Sequence, residues 1–293
     1  MKTFSYRKPK SLKEAIALLK RHREKAQILA GGTDLLVEYK NRLRPLSHVI
    51  DIKGIASLDG IAVEPKGHLR LGPLVTMQAL STHPALVDGL SVLSQAASKI
   101  GSWQIRNRAT LGGNICHGSP SGDTLPALLC LNAQVKLAGP KGERKVPVED
   151  FFLGPGKTAA EPDEILTEIL IPRPPPRSVG VYKKLAPRRA MDLAVVGVAV
   201  LGSFDPPGEG FADIRIGLGA VASIPLRAKA AENLLRGAKV HESLIIQAAD
   251  LASAAASPIS DVRGSAWYRR EMIQHLVEET LRETLAEYRK DRS

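Results

Sequence analysis

The chain has 293 residues, of which 44% are hydrophobic and 24% charged, with a formal net charge of +11, values that suit a globular protein of about two domains. No apolar run approaches the roughly 18 residues of a membrane span, and the N-terminal MKTFSYRKPKSLKEAIALLK lacks the apolar core of a secretory signal, so the cytoplasm is the expected compartment. Aromatic residues, at 4%, are too scarce for a nucleic-acid stacking platform, and the dispersed positive charge reads instead as a docking surface for a more acidic partner protein.

In chain order, Ser11–Lys20 has an N-cap serine, a glutamate three positions on and apolar residues at helical spacing, which predicts a capped helix. Ala26–Ala30 reads as a strand ending at Gly31-Gly32, after which Thr33 or Asp34 can cap a helix over Leu35–Lys40. Strands are predicted at His48–Ile52 and Leu69–Leu71. A helical region over Thr76–Leu80 and Pro84–Leu86 leads to a helix at Ser91–Ile100. A glycine-rich segment at 109–123 follows, then a helix from Asp123 to Cys130 with Pro126 in its first turn, and strands at Ala133–Ala138 and Asp163–Pro172.

The run Ile171-Pro172-Arg173-Pro174-Pro175-Pro176-Arg177 cannot continue a helix or a central strand, so the domain boundary is set here: 1–175 and 178–289. Beyond it, strands at Gly180–Leu185, Leu193–Phe204 and Phe211–Val221 are separated by turn residues such as Asp205-Pro206-Pro207-Gly208. Helices follow at Leu226–Leu235, Glu242–Ala256 and Ala266 to about Tyr288. This second part reads as a three-stranded, antiparallel sheet covered by helices.

Two motifs fail on inspection. Gly154-Pro155-Gly156-Lys157-Thr158 ends like a phosphate-binding P-loop, but Phe151 stands where the first glycine belongs and Pro162 stops the helix that should follow, so it reads as a turn. Gly217-Leu218-Gly219-Ala220-Val221-Ala222 spells a dinucleotide fingerprint, yet Pro225 interrupts the required helix and Lys239 stands where an acidic ribose ligand is expected, so it reads as a glycine-containing strand. Cys116, His117 and Cys130 lack zinc-site spacing, no metal is expected, and the two cysteines read as small buried thiols in a reducing compartment.

The adjacent glycine pairs carry more information. A diphosphate is best met by several converging backbone N–H groups, which only residues without bulky side chains bring close enough. Leu29-Ala30-Gly31-Gly32-Thr33-Asp34 and Thr110-Leu111-Gly112-Gly113-Asn114, with Ser119–Thr124, each sit just ahead of a helix whose N-terminus would favour an anion. Two such loops suggest a long ligand gripped from two sides. Either pair alone reads first as a tight turn.

Together, Leu29–Leu36 and Gln104–Cys116 resemble the FAD-binding (medium) subunits of the molybdenum hydroxylases. That group includes the flavin subunit of xanthine dehydrogenase, the medium subunit of aerobic carbon monoxide dehydrogenase and the beta subunit of 4-hydroxybenzoyl-CoA reductase. The likeness continues through 154–158, 161–166, Lys184–Asp192, Pro225 and Arg263–Ala266, nearly the whole chain in the family's order, and the bacterial xanthine dehydrogenase type is the nearest in pattern.

The resemblance implies an α+β protein: a vanillyl-alcohol-oxidase-type (PCMH) FAD domain of two α/β subdomains, then a smaller domain of the carbon monoxide dehydrogenase flavoprotein C-terminal type. It implies that Gln27, Ile28, Leu29, Ala30, Gly31, Gly32, Thr33 and Asp34, with Thr110, Leu111, Gly112, Gly113 and Asn114, wrap the diphosphate and adjoining parts of FAD. Asp123, Leu166 and Lys184 would contact its other portions, and Ile100 would add apolar contact without stacking.

The implied role is electron transfer from [2Fe–2S] clusters of a small partner subunit through FAD to NAD⁺ or another acceptor, the molybdenum cofactor lying on a large partner subunit. No catalytic acid or base is expected on this chain. No cysteine-rich insertion lies near Cys116–Cys130, so an extra iron–sulfur cluster is not implied. A stand-alone FAD-dependent oxidase and a non-enzymatic nucleotide-binding regulator are the alternatives.

Overall fold

The computed structural model describes residues 3–43, 46–188, 190–204 and 210–290. The turn read at Asp205–Gly208, and Arg189 within the Lys184–Asp192 stretch, lie outside the described residues.

The chain begins with β1 (Ser5–Arg7), α1 (Leu12–His22), β2 (Ala26–Leu29), α2 (Leu35–Lys40) and β3 (His48–Asp51), the strands forming a parallel sheet in the order β1-β3-β2. The Ser11 hydroxyl accepts from the Glu14 amide at 3.2 Å, the expected cap, and α1 turns Ala15 and Leu19 onto Ile50 and Ile52. Because all three strands run the same way, the loops after β2 and β3 emerge at one edge, where ligands bind in such sheets.

A second layer comprises β4 (Ile61–Val63), β5 (Leu69–Leu71), α3 (Met77–Thr82), α4 (Ser91–Ser98), α5 (Trp103–Arg106), α6 (Leu111–His117) and α7 (Thr124–Cys130). It continues with β6 (Gln134–Gly139), β7 (Gly142–Pro147), α8 (Val148–Phe151), β8 (Phe152–Gly154), β9 (Lys157–Thr158) and β10 (Ile165–Ile171). Its five-stranded sheet, β4-β5-β10-β6-β7, is antiparallel throughout. The helical region foreseen over 76–86 is cut short: Pro84 forces His83 into extended backbone (ψ 127°), and α3 ends at Thr82. The P-loop lookalike is the turn between β8 and β9, as read from the sequence.

Beyond 172–177, which forms neither helix nor strand, come β11 (Ser178–Leu185), β12 (Val196–Phe204), β13 (Phe211–Gly219), β14 (Leu226–Arg227), α9 (Lys229–Leu235), α10 (Glu242–Ala254) and α11 (Ala266–Lys290). The sheet is antiparallel as foreseen but has four strands in the order β11-β12-β13-β14. Leu226 and Arg227, read as a helix start, pair with Leu218 and Gly217 instead. One face carries α9 and α11, with α10 packed on both helices. Ile273, Val277 and Leu281 of α11 are fully buried there, each contributing up to about 1.5–3 kcal/mol of transfer free energy.

The other face is covered by α4 and α7 of the second layer, so Tyr182, Ala199 and Leu201 join that layer's core. A Cβ on Gly217 would stand 2.4 Å from the Pro126 carbonyl oxygen, which explains the fingerprint lookalike: the glycine admits the backbone of α7, not a nucleotide. Both cysteines are free. Cys130 is buried, but Cys116 is exposed, contrary to the expectation of two buried thiols, because α6 turns it toward an open cleft. Among the described residues no helix is long and apolar enough to cross a membrane, and no cluster of His, Cys, Asp or Glu could hold a metal ion.

Candidate functional site

The segment Ala30–Asp34 leaves the edge of the parallel sheet and runs directly against the start of the second glycine segment. A Cβ on Gly31 would stand 2.2 Å from the Arg108 carbonyl oxygen, and one on Gly112 would stand 2.4 Å from Pro73 Cβ and 2.8 Å from its carbonyl oxygen. One glycine of each pair therefore serves chain-to-chain approach. The other does not. Gly32 adopts φ +79°, a left-handed conformation that side chains disfavour, and a Cβ on Gly113 would meet nothing nearer than the hydroxyl of Thr110, 2.9 Å away. Gly32 and Gly113 line one cleft of about 910 Å³, within the size range of cofactor sites.

The two segments offer different chemistry to that cleft. Among the described residues, the backbone amides of Gly31, Gly32, Thr33 and Asp34 donate to no protein acceptor. Those of the second segment are committed: Leu111 to Val75 O, Gly112 to Pro73 O, Gly113 to the Thr110 hydroxyl and Asn114 to Thr110 O, at 2.9–3.1 Å. The expectation that both glycine pairs present converging N–H groups is thus corrected. The first pair presents amides, and the second presents bare main chain, beside the Asn114 side chain, whose oxygen accepts from the Thr124 hydroxyl at 2.7 Å. The helices behind them have six and seven residues, so local amides rather than a long helix dipole face the cleft.

Gln27, Ile28, Ala30, Gly31, Gly32, Thr33, Asp34, Ile100, Thr110, Gly112, Gly113, Asn114, Asp123 and Leu166 all line this cleft. Three expected residues stand outside its wall. Leu29 packs on the Tyr39–Val49 cluster, and Leu111 is fully buried in the second layer. Lys184, on β11, lies behind Asp123: its Nζ donates to Asp123 Oδ2 at 2.8 Å and to the Lys99 carbonyl at 3.1 Å.

Asp123, the N-cap residue of α7, also accepts from the Tyr182 hydroxyl at 2.8 Å through Oδ1. Burial pushes its carboxyl above the ordinary range, while the Lys184 ammonium and the Tyr182 hydroxyl pull it back. The same burial, with the carboxylate alongside, raises the Tyr182 phenol well above its usual value, so it stays a neutral donor. A ribose hydroxyl approaching Asp123 would share oxygens already engaged by these two groups. Sequence reasoning missed Tyr182, whose only signal is its place in an apolar strand.

Ile100, Ile105, Met77 and Leu166 give the cleft an apolar sector, and no Phe, Tyr or Trp among the described residues lines it. Carboxylates outnumber basic groups: Glu24, Asp34, Glu38, Asp123, Glu161, Glu164 and Asp192 line it with Arg23 and His117. His117 lies 3.8 Å from Glu38 across α6 and α2, an ion pair when the ring is protonated. Glu164 is held by Arg144 through two 2.7 Å hydrogen bonds, which lower its carboxyl below the usual range. An anionic ligand here would have to be met mainly by backbone amides.

Residues 2–174 match the FAD binding domain in molybdopterin dehydrogenase, and residues 181–284 match the CO dehydrogenase flavoprotein C-terminal domain. The chain is 34% identical over 283 residues to the xanthine dehydrogenase FAD-binding subunit of Escherichia coli O157:H7, covering 96% of both chains. It is 38% identical over 271 residues to the carbon monoxide dehydrogenase medium chain of Afipia carboxidovorans, covering 92% of each. The solved structure of carbon monoxide dehydrogenase from Hydrogenophaga pseudoflava superposes with a TM-score of 0.94 at 36% identity, covering 97% of this chain and 98% of that one. The protein therefore belongs to the family of FAD-binding subunits of the molybdopterin dehydrogenases and is an oxidoreductase subunit.

Proposed function

We propose that this chain holds one FAD along the cleft and acts as the electron-transfer subunit of a molybdenum hydroxylase complex. Electrons would enter from [2Fe–2S] clusters on a small partner subunit and leave to NAD⁺ or another acceptor, with the molybdenum cofactor on a large partner. Bound FAD would supply the exchange between one- and two-electron carriers.

The observation that carries this reading is the meeting of the two glycine segments on one cleft, the first with four unused amides. Those amides would receive the diphosphate, since few cations line the walls. Gly113 would let the ligand lie against bare main chain. The sector of Ile100, Ile105 and Leu166 would take the flat apolar part of the cofactor, and Asp123, fixed by Tyr182 and Lys184, would bound it from the α7 side. The vanillyl-alcohol-oxidase-type layout fits the parallel sheet and the antiparallel sheet that flank the cleft, and the domain division at 175–178 follows the proline connector. A cytoplasmic location accords with the chain's free thiols.

The test is to purify the chain with and without co-expressed iron–sulfur and molybdenum subunits. We expect a yellow protein that releases FAD, no turnover alone, and activity in the assembled complex. A colourless protein, or one that oxidises an organic substrate unaided, would refute the proposal.

A further inference from the structure

Lys53 lies outside the cleft wall, in the single 3-10 turn Ile52–Gly54 that follows β3, yet it reaches the first glycine loop from behind. Its Nζ donates to the Ala30 carbonyl at 3.1 Å and pairs with Asp51 Oδ1 at 2.8 Å. Asp51 is buried, with 5% side-chain exposure, and is itself fixed: Oδ1 accepts the Lys53 amide at 3.0 Å and Oδ2 accepts the Tyr6 hydroxyl at 2.5 Å. The lysine and tyrosine contacts hold the Asp51 carboxyl below its usual range despite burial, so Asp51 is a carboxylate at neutral pH. Tyr6 of β1 and Asp51 of β3 thus hold Lys53, whose ammonium alone reaches the Ala30 carbonyl just beyond β2.

That carbonyl belongs to the same peptide unit as the Gly31 amide. In a planar trans peptide the C=O and N–H point in opposite directions. Ala30 and Gly31 both line the cleft, Lys53 does not, and the Gly31 amide has no protein acceptor among the described residues. Pinning the oxygen from behind therefore turns the N–H into the cleft. Without Lys53, the wide dihedral range of Gly31 and Gly32 would let this peptide rotate and lose the donor.

We propose that Lys53 is a positioning residue for the diphosphate: tied to Asp51 and Tyr6, it locks the Ala30–Gly31 peptide so that the Gly31 amide faces the ligand. This rests on the FAD reading above. It assigns Lys53 a role through the backbone rather than by contact with the cofactor.

The experiment titrates FAD into the apo form of the full chain, wild type and variants, and records ³¹P spectra of the bound diphosphate. Lys53→Met is expected to weaken FAD binding about tenfold and to shift the ³¹P resonances; stranding the Asp51 charge lowers the thermal midpoint of the apo form, so affinities are compared at a temperature where both proteins are folded. Lys53→Arg, which retains a cationic donor, is expected to recover most of the affinity. Tyr6→Phe, which loosens Asp51 while leaving Lys53 in place, provides a second reading, with a loss of about threefold. Wild-type protein that takes FAD, with Lys53→Met and Tyr6→Phe matching it in affinity and ³¹P spectrum, would overturn this assignment alone. Wild-type protein that takes no FAD would remove both this assignment and the reading beneath it.

Discussion

Gly31 and Arg108 lie in such close main-chain contact that a Cβ on Gly31 would stand 2.2 Å from the Arg108 carbonyl oxygen. This contact joins a loop of the parallel sheet to the approach of α6. Gly31→Ala must push two backbones apart, and it is expected to cost about 3 kcal/mol in urea unfolding of the apo form, together with loss of FAD binding.

The adjacent glycines 112 and 113 should behave differently. Gly112→Ala meets Pro73 and is expected to destabilise the fold by about 3 kcal/mol. Gly113→Ala meets only the capping Thr110 hydroxyl, 2.9 Å away, and sits inside α6, so the gain in helix propensity offsets the shift of that cap and stability should change by less than about 1 kcal/mol. Its methyl enters the cleft, and FAD affinity should fall about tenfold or more. Thermal melts and FAD titrations of the two variants would separate packing from ligand approach.

Asp123 and Lys184, each with 7% side-chain exposure, form a buried pair. Removing one partner strands the other charge, so Asp123→Asn and Lys184→Met are each expected to cost about 3–5 kcal/mol. The double variant should lose less than either single one, by about 2 kcal/mol, in a double-mutant cycle measured by denaturant. Additive losses would mean that the pair is not coupled.

Glu164 provides a pH signature. Its carboxyl is depressed by Arg144, so its contribution is complete above its ordinary value of 4.5 and is lost as the pH falls through the lowered folded value. Glu164→Gln is expected to cost about 1 kcal/mol at neutral pH, a figure reduced because Arg144 is partly exposed, and to match wild type once the pH falls well below 4.5. Stability curves across acid pH would measure the convergence.

What the sequence discloses depends on whether the signal is local. The cap at Ser11, the apolar strands β11–β13 and the long periodicity of α11 are legible because each element contains its own evidence. β7 is a polar strand with only Val146 buried, and β14 has two residues, so neither leaves an apolar pattern. The glycine pairs announce close approach, but not that Arg108 and Pro73 are two of the approaching groups. Asp123 and Lys184 enter through family likeness. Their union with Tyr182, and the reach of Lys53 to Ala30, depend on strands meeting in space and leave no trace in spacing.

The account's central claim is that main chain, not charged side chains or ring stacking, secures the cofactor by its diphosphate. The most direct measurement is calorimetric titration of the apo chain with FAD and with riboflavin, followed by displacement of FAD with ADP. The account predicts one FAD per chain, competitive displacement by ADP, and riboflavin binding weaker by about a thousandfold. Riboflavin binding as tightly as FAD, or ADP leaving bound FAD undisturbed, would contradict it.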